Sequence, residues 1–169
     1  MNLHLFLLTH QRVSTLTLNK GMMTSLSDEY ATPWEFFDKV DKVFHFTLDV
    51  CANRKNRKCD NYFNKYQDGL KQKWTGVCWK NPPYGKNIKK WIRKAYISSK
   101  HGAIVVCLIP ARTDTKYWHR YCIHGMIYFI EGRLKFMSGK TPRAPFPSAL
   151  VIFGKKYNDT GIVRYMGRT

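Results

Sequence analysis

A three-layer α/β sandwich with a mixed sheet is the fold this sequence predicts, and three observations carry it. Residues 103–109 form a near-continuous apolar run, as a strand covered on both faces requires, and such strands belong to parallel sheets flanked by helices. The apolar stretch Val77-Cys78-Trp79 leads through a Pro-rich turn into a segment with helical spacing. That strand–loop–helix order gives way near the C-terminus to short strands, which adds an antiparallel tail to the sheet.

The elements follow in order. Thr32-Pro33-Trp34-Glu35 reads as a helix start, with Thr as N-cap, Pro at the first helical position and Glu three residues after the cap. Phe36, Phe37, Val40, Val43 and Phe44 then recur at helical spacing. Residues 46–51 alternate and predict a strand ending in a loop at Ala52-Asn53, and 53–74 are polar and aromatic, with Asp68-Gly69 as a turn signal. Residues 77–80 predict a second strand. Ile88, Trp91, Ile92 and Ala95 form one stripe of a helix whose other face carries Lys89, Lys90, Arg93 and Lys94. After the strand at 103–109 comes a helix at 114–123. Late strands are expected at 126–130, 134–136, 148–153 and 162–165, with a basic loop at 137–147.

Composition narrows the function. Of 169 residues, 29 are Lys or Arg and 11 are Asp or Glu, a net charge of +18 that suits a polyanionic partner, nucleic acid first. The five cysteines, at 51, 59, 78, 107 and 122, are odd in number and lack paired C-x-x-C spacing, so neither a zinc site nor a disulfide framework is indicated. No metal is expected, and the chain reads as a reduced, cytoplasmic protein. The apolar run at 3–8 is too short to span a bilayer, so no membrane partner is expected. Residues 1–22 lack the patterning that follows and read as an N-terminal extension, disordered or translated from a start codon set too far upstream. Residues 23–169 then form a single domain.

Asn81-Pro82-Pro83-Tyr84 carries the chemistry. The exocyclic amine of adenine is a weak nucleophile, because its lone pair is delocalised into the ring. A side-chain amide oxygen (Asn81) and the following carbonyl, aimed by a proline of restricted φ (Pro82), can grip both N–H groups. Tyr84 gives the base a face to stack on. The same residues also suit a plain strand-to-helix turn. Asp49, Asn81 and Pro110-Ala111-Arg112 all fall at predicted strand ends, where ligands bind in open α/β sheets.

With these pieces placed, the chain resembles the phage DNA N-6-adenine methyltransferase (Dam) family. The resemblance runs from Ser27 to Phe153. It rests on Thr32-Pro33-Trp34, on Phe46-Thr47-Leu48-Asp49-Val50-Cys51-Ala52, on Asp68-Gly69-Leu70, and on Asn81-Pro82-Pro83-Tyr84-Gly85. Pro110-Ala111-Arg112-Thr113-Asp114, Gly132-Arg133-Leu134-Lys135-Phe136 and Ala144-Pro145-Phe146-Pro147-Ser148 complete it. It implies a Rossmann-like fold, S-adenosylmethionine as cofactor, and methyl transfer to adenine in DNA. Asn81, Pro82, Pro83 and Tyr84 then match the catalytic turn. Thr32, Pro33, Asp49, Cys51, Ala52, Asp68 and Asn81 match the cofactor site. The Gly-rich turn that follows the first strand in many methyltransferases is absent, since the stretch here is Cys51-Ala52-Asn53-Arg54. Lys86, Lys89, Lys90, Arg112, Arg133, Lys135, Lys140 and Arg143 are the candidates for DNA contact. Three alternatives stay open at this point: an RNA adenine methyltransferase, a protein-glutamine methyltransferase, and a non-catalytic DNA-binding protein.

Overall fold

The computed structural model describes residues 30–137, 144–161 and 163–167. The proposed extension at 1–22, Lys140 and Arg143 lie outside the described residues.

Helix α1 (Trp34–Phe44) buries Phe37 and Val40 and leaves its polar face outside. It ends at His45, whose left-handed backbone (φ 54°) turns its N–H back onto the Asp41 carbonyl. The Asp41 carboxylate then accepts the Phe46 N–H at 2.6 Å, which fixes the entry into the sheet. The expected Thr32 cap is corrected: Pro33 is the N-cap residue and no side chain caps the helix. Thr32 is buried, and its hydroxyl is engaged by Asn81 instead.

Six strands form one sheet: β1 (Leu48–Asp49), β2 (Val77–Lys80), β3 (Ile104–Pro110), β4 (Met126–Ile130), β5 (Ser148–Phe153) and β6 (Val163–Met166). Their spatial order is β1-β2-β3-β5-β4-β6. The pairs β1–β2, β2–β3 and β4–β6 are parallel, whereas β5 runs antiparallel to both β3 and β4. Burial follows from this order. β3 and β5 occupy the middle, and every residue of β5 is buried, which is why both segments are continuous apolar runs.

Neighbouring residues of a strand point to opposite faces of the sheet, and β2 shows what each face meets. Trp79 packs edge-on against Phe37 of α1. Lys80, fully buried, lies opposite Cys107 of β3 in the strand register. Its ammonium nitrogen has no hydrogen-bond partner among the described residues. Burial holds its pKa below the ordinary lysine value. Helix α2 (Ile88–Lys100) buries Ile88, Trp91, Ile92 and Ala95, the predicted stripe.

Three elements differ from expectation. β1 is two residues long, and its outer edge is taken by 61–63, with Asp49 N–H on the Asn61 carbonyl and Phe63 N–H on the Asp49 carbonyl, each at 2.9 Å. The helix expected at 114–123 is broken into α3 (Lys116–Arg120) and a 3-10 turn at Cys122–His124. Residues 134–136 form no strand. Phe136 turns its ring inward against Tyr30 and Phe146, and the Met137 N–H binds the Ala31 carbonyl at 2.9 Å. Among the described residues no helix is long and apolar enough to cross a membrane. None of their His, Cys, Asp and Glu side chains gather in threes to hold a metal ion.

Candidate active site

The parallel strands β1 and β2 end at one cleft of about 760 Å³, a size that suits a small-molecule ligand. Asp49 and Trp79 form part of its base, Asn81, Pro82 and Pro83 one side, and residues 51–70 much of the other. Tyr30 to Thr32 cross its edge, and Asn87, Lys90 and Trp91 at the start of α2 close it.

Asn81 is the node of the first side. Its Nδ2 donates to the Tyr30 carbonyl and to Thr32 Oγ1 (2.8 Å), and its Oδ1 accepts from the Tyr84 hydroxyl at 2.6 Å. The amide orientation follows, since the Tyr30 carbonyl can only accept. An amide oxygen has two lone pairs, so Oδ1 keeps one acceptor position beyond Tyr84.

Tyr84 is not where the sequence placed it. Its ring is 1% exposed and does not line the cleft. It stacks on Tyr30 (centroids 5.4 Å apart, planes at 18°) and meets Phe146 and Phe136 edge-on. The expectation of a free face is therefore corrected: the aromatic side chain fills a buried cluster, and its burial pushes the phenol pKa well above the ordinary value.

Asp49 is 3% exposed at the end of β1. Its Oδ1 accepts the Cys51 N–H (3.2 Å) and its Oδ2 the Lys58 N–H (3.0 Å), so the carboxylate ties both ends of the 51–58 loop. Burial raises its pKa to about 6, against the opposing pull of those two N–H groups and of the Lys58 charge. Lys58 is itself drawn inward, its ammonium 3.6 Å from the centre of the Trp34 ring. Desolvation lowers its pKa.

The other side is held by local turns. Asn53 Oδ1 accepts the N–H groups of Lys55 and Asn56, and Asn64 Oδ1 those of Tyr66 and Gln67, the self-bonding habit of Asn in turns. Asp68 adopts a left-handed backbone (φ 51°) and accepts the Leu70 N–H. At Gly69 an added Cβ would lie 2.1 Å from the Val50 carbonyl oxygen, so no side chain fits there. Gly69 thus packs its backbone directly against the end of the segment that follows β1.

Among the expected cofactor contacts, Thr32, Asp49, Cys51, Ala52, Asp68 and Asn81 line this cleft, and Pro33 does not. Asn81, Pro82 and Pro83 line it without Tyr84. Of the cationic candidates, Lys90 lines it, while Lys86, Lys89, Arg133 and Lys135 are exposed and Arg112 is half-buried. Sequence reasoning missed Tyr30, Lys58, Tyr62 and Phe63, all in the lining. The aromatic residues at 62 and 63, set between Asn61 and Asn64 in an otherwise polar stretch, were the signal for the last two. For Tyr30 there was none.

Comparison with known proteins places the chain in a family. The profile of the DNA N-6-adenine-methyltransferase (Dam) family matches residues 20–168. The chain is 32% identical over 139 residues to the DNA N-6-adenine-methyltransferase of Haemophilus phage HP1 (strain HP1c1), covering 76% of this chain and 80% of that protein. It is 26% identical over 146 residues to the DNA N-6-adenine-methyltransferase of Escherichia phage T1, covering 74% of this chain and 61% of that one. The chain belongs to the DNA N-6-adenine-methyltransferase (Dam) family.

Proposed function

We propose that this protein transfers a methyl group from S-adenosylmethionine to the exocyclic amine of adenine in DNA. The observation that carries the proposal is the Asn81-Pro82-Pro83 turn bordering a ligand-sized cleft at the strand ends, in a chain of this family. The sheet is read as a Rossmann-like methyltransferase sheet flanked by helices, supported by α1 packing on Trp79 of β2 and α2 packing against β3.

The cleft fits the donor. It offers aromatic and apolar surface (Tyr62, Phe63, Trp79, Leu70) beside carboxylates and amides (Asp49, Asp68, Asn53), the mixture that an adenosine joined to a charged amino acid calls for. When bound, S-adenosylmethionine supplies an electrophilic methyl carbon on a positively charged sulfur. The rest is done by this chain. The target adenine has to leave the duplex stack before its amine can be reached. Asn81 Oδ1, through its remaining lone pair, and the Pro82 carbonyl accept the two N–H groups and free the nitrogen lone pair for attack. Holding the amine and the donor together in one cleft would supply much of the acceleration, and the proton that the methylated amine sheds would pass to water. Tyr84 acts from behind Asn81, fixing the amide through its hydroxyl, and receives the base only after a ring leaves its face.

Lys86, Lys89 and Lys90 at the start of α2, with Arg112, Arg133 and Lys135, are proposed to meet the DNA backbone. The net charge of +18 supports this and implies affinity that falls steeply with salt. The family match favours DNA over the RNA and protein-glutamine alternatives. Incubation of the purified protein with methyl-labelled S-adenosylmethionine and a panel of DNA, RNA and peptide acceptors tests the reading. Label in DNA, recovered as N6-methyladenine, is the expected result; label in RNA or peptide alone would overturn it.

A further inference from the structure

Tyr84 has no free face in this structure, and what covers it is specific. Of its three ring partners, Phe136 and Phe146 stand edge-on and do not line the cleft; Tyr30 lies flat on it and does. Tyr30 also meets Phe136 and Phe146 edge-on, with centroids 5.2 Å away in both cases. Its ring therefore sits in a three-sided aromatic box, flat on the surface that stacking a purine requires. The 5.4 Å between the Tyr30 and Tyr84 centroids leaves no room for a third ring between them, since two stacked spacings need about 7 Å.

Resting on the adenine-methyltransferase reading above, we infer that Tyr30 is a placeholder for the target base. Its ring occupies the adenine slot in the empty enzyme and swings off Tyr84 as the flipped base enters. The backbone around it explains why the ring is the part that moves. The Tyr30 carbonyl is held by Asn81, the Ala31 carbonyl by the Met137 N–H, and the Thr32 hydroxyl by Asn81 again. These bonds hold the backbone of the segment in place, so that a displacement of the ring is a rotation about the Tyr30 Cα–Cβ bond. The residue that grips the amine thus also anchors the residue that guards its slot. The tyrosine ring keeps water out of the box and keeps Tyr84 in place until a flat aromatic group of similar size replaces it.

The experiment uses DNA whose methylated adenine has been mapped with the wild-type enzyme. In the wild type, the ring signals of Tyr30, identified by comparison with Tyr30→Phe in spectra of tyrosine-labelled protein, should show the ring-current shift of a stacked pair. Saturation with that DNA and S-adenosylhomocysteine should abolish the shift. In steady-state kinetics, Tyr30→Ala should lower KM for DNA about two- to tenfold, the range of one aromatic contact that no longer competes with the base, and Tyr30→Phe, which keeps the ring, should lower it less. A Tyr30 shift that persists in the saturated complex, or a KM that rises in Tyr30→Ala, would overturn the placeholder, because either result makes Tyr30 a permanent wall. Failure of the wild type to form any N6-methyladenine would instead strike the methyltransferase reading, and this inference with it.

Discussion

The two sides of the cleft are built by opposite means. On the Asn81 side, the bonds that join the segments reach far along the chain: Asn81 to Tyr30 and Thr32 spans 51 and 49 residues, while Tyr84 braces Asn81 from three residues away. On the 53–70 side most shaping bonds stay within a few residues, as at Asn53, Asn64 and Asp68; the Asp49 carboxylate reaches nine residues to Lys58 and its backbone pairs with Asn61 and Phe63. A wall of local turns keeps its shape whenever its own residues are present. A wall of long-range bonds exists only when the whole domain is folded. The difference teaches that the chemistry at Asn81 is coupled to global stability, while the proposed cofactor surface is held by its own loop.

Breaking the long-range side should therefore harm both folding and turnover. Tyr84→Ala empties a buried aromatic site and should lower the unfolding free energy by about 3–5 kcal/mol. Tyr84→Phe, which loses only the hydroxyl on Asn81, should lower it by about 1 kcal/mol. Chemical denaturation separates the two, and equal losses would show that the hydroxyl, not the ring, holds the cluster.

Next in size is Asn81→Ala. Removing a positioned hydrogen-bonding group from a reacting centre reduces turnover by about 10²–10³-fold, and that is the fall expected in initial rates of methyl incorporation. Because the same amide ties Tyr30 and Thr32, the melting temperature should drop as well. A variant that lost turnover at an unchanged melting temperature would break the link between chemistry and folding.

The local side is tested through Asp49. Its carboxyl pKa is raised from 3.8 to about 6, so the folded protein holds this proton more tightly than the unfolded chain does. Stability from this group is full below about pH 4 and falls as pH rises to about 6, by roughly 3 kcal/mol at 1.36 kcal/mol per unit. Asp49→Asn cannot ionise. Subtracting its pH–stability curve from that of the wild type should leave this downward step; a flat difference would mean that the carboxylate is not buried as described. The smallest effect is expected for Thr32→Val, which keeps the shape and removes one acceptor from Asn81. It should lower stability by about 1 kcal/mol and reduce kcat more than the affinity for S-adenosylmethionine, as isothermal titration alongside kinetics would reveal.

Much of the fold was legible because it rests on short-range pattern. The strands at 77–80, 126–130 and 148–153 lie where the apolar runs put them, and the helix after Tyr84 buries the stripe that its spacing marked. The failures have a common cause. Thr32 looked like a cap, since Thr-Pro-x-Glu is a good cap by itself, but a bond to Asn81 took the hydroxyl. Residues 134–136 looked like a strand because alternation records burial, and Phe136 is buried in the Tyr84 cluster without a strand partner. The packing of Gly69 against Val50, 19 residues earlier, has no counterpart in local spacing either.

What the amino-acid order determined alone was the sheet's buried centre, the amide–proline turn at the end of β2 and the basic surface, all consequences of composition and periodicity within a few residues. Only the tertiary structure decided which ring lies on Tyr84 and where Thr32 sends its hydroxyl. Each of these depends on two groups far apart in the chain satisfying one another in a space closed to water, and local spacing does not encode such a match.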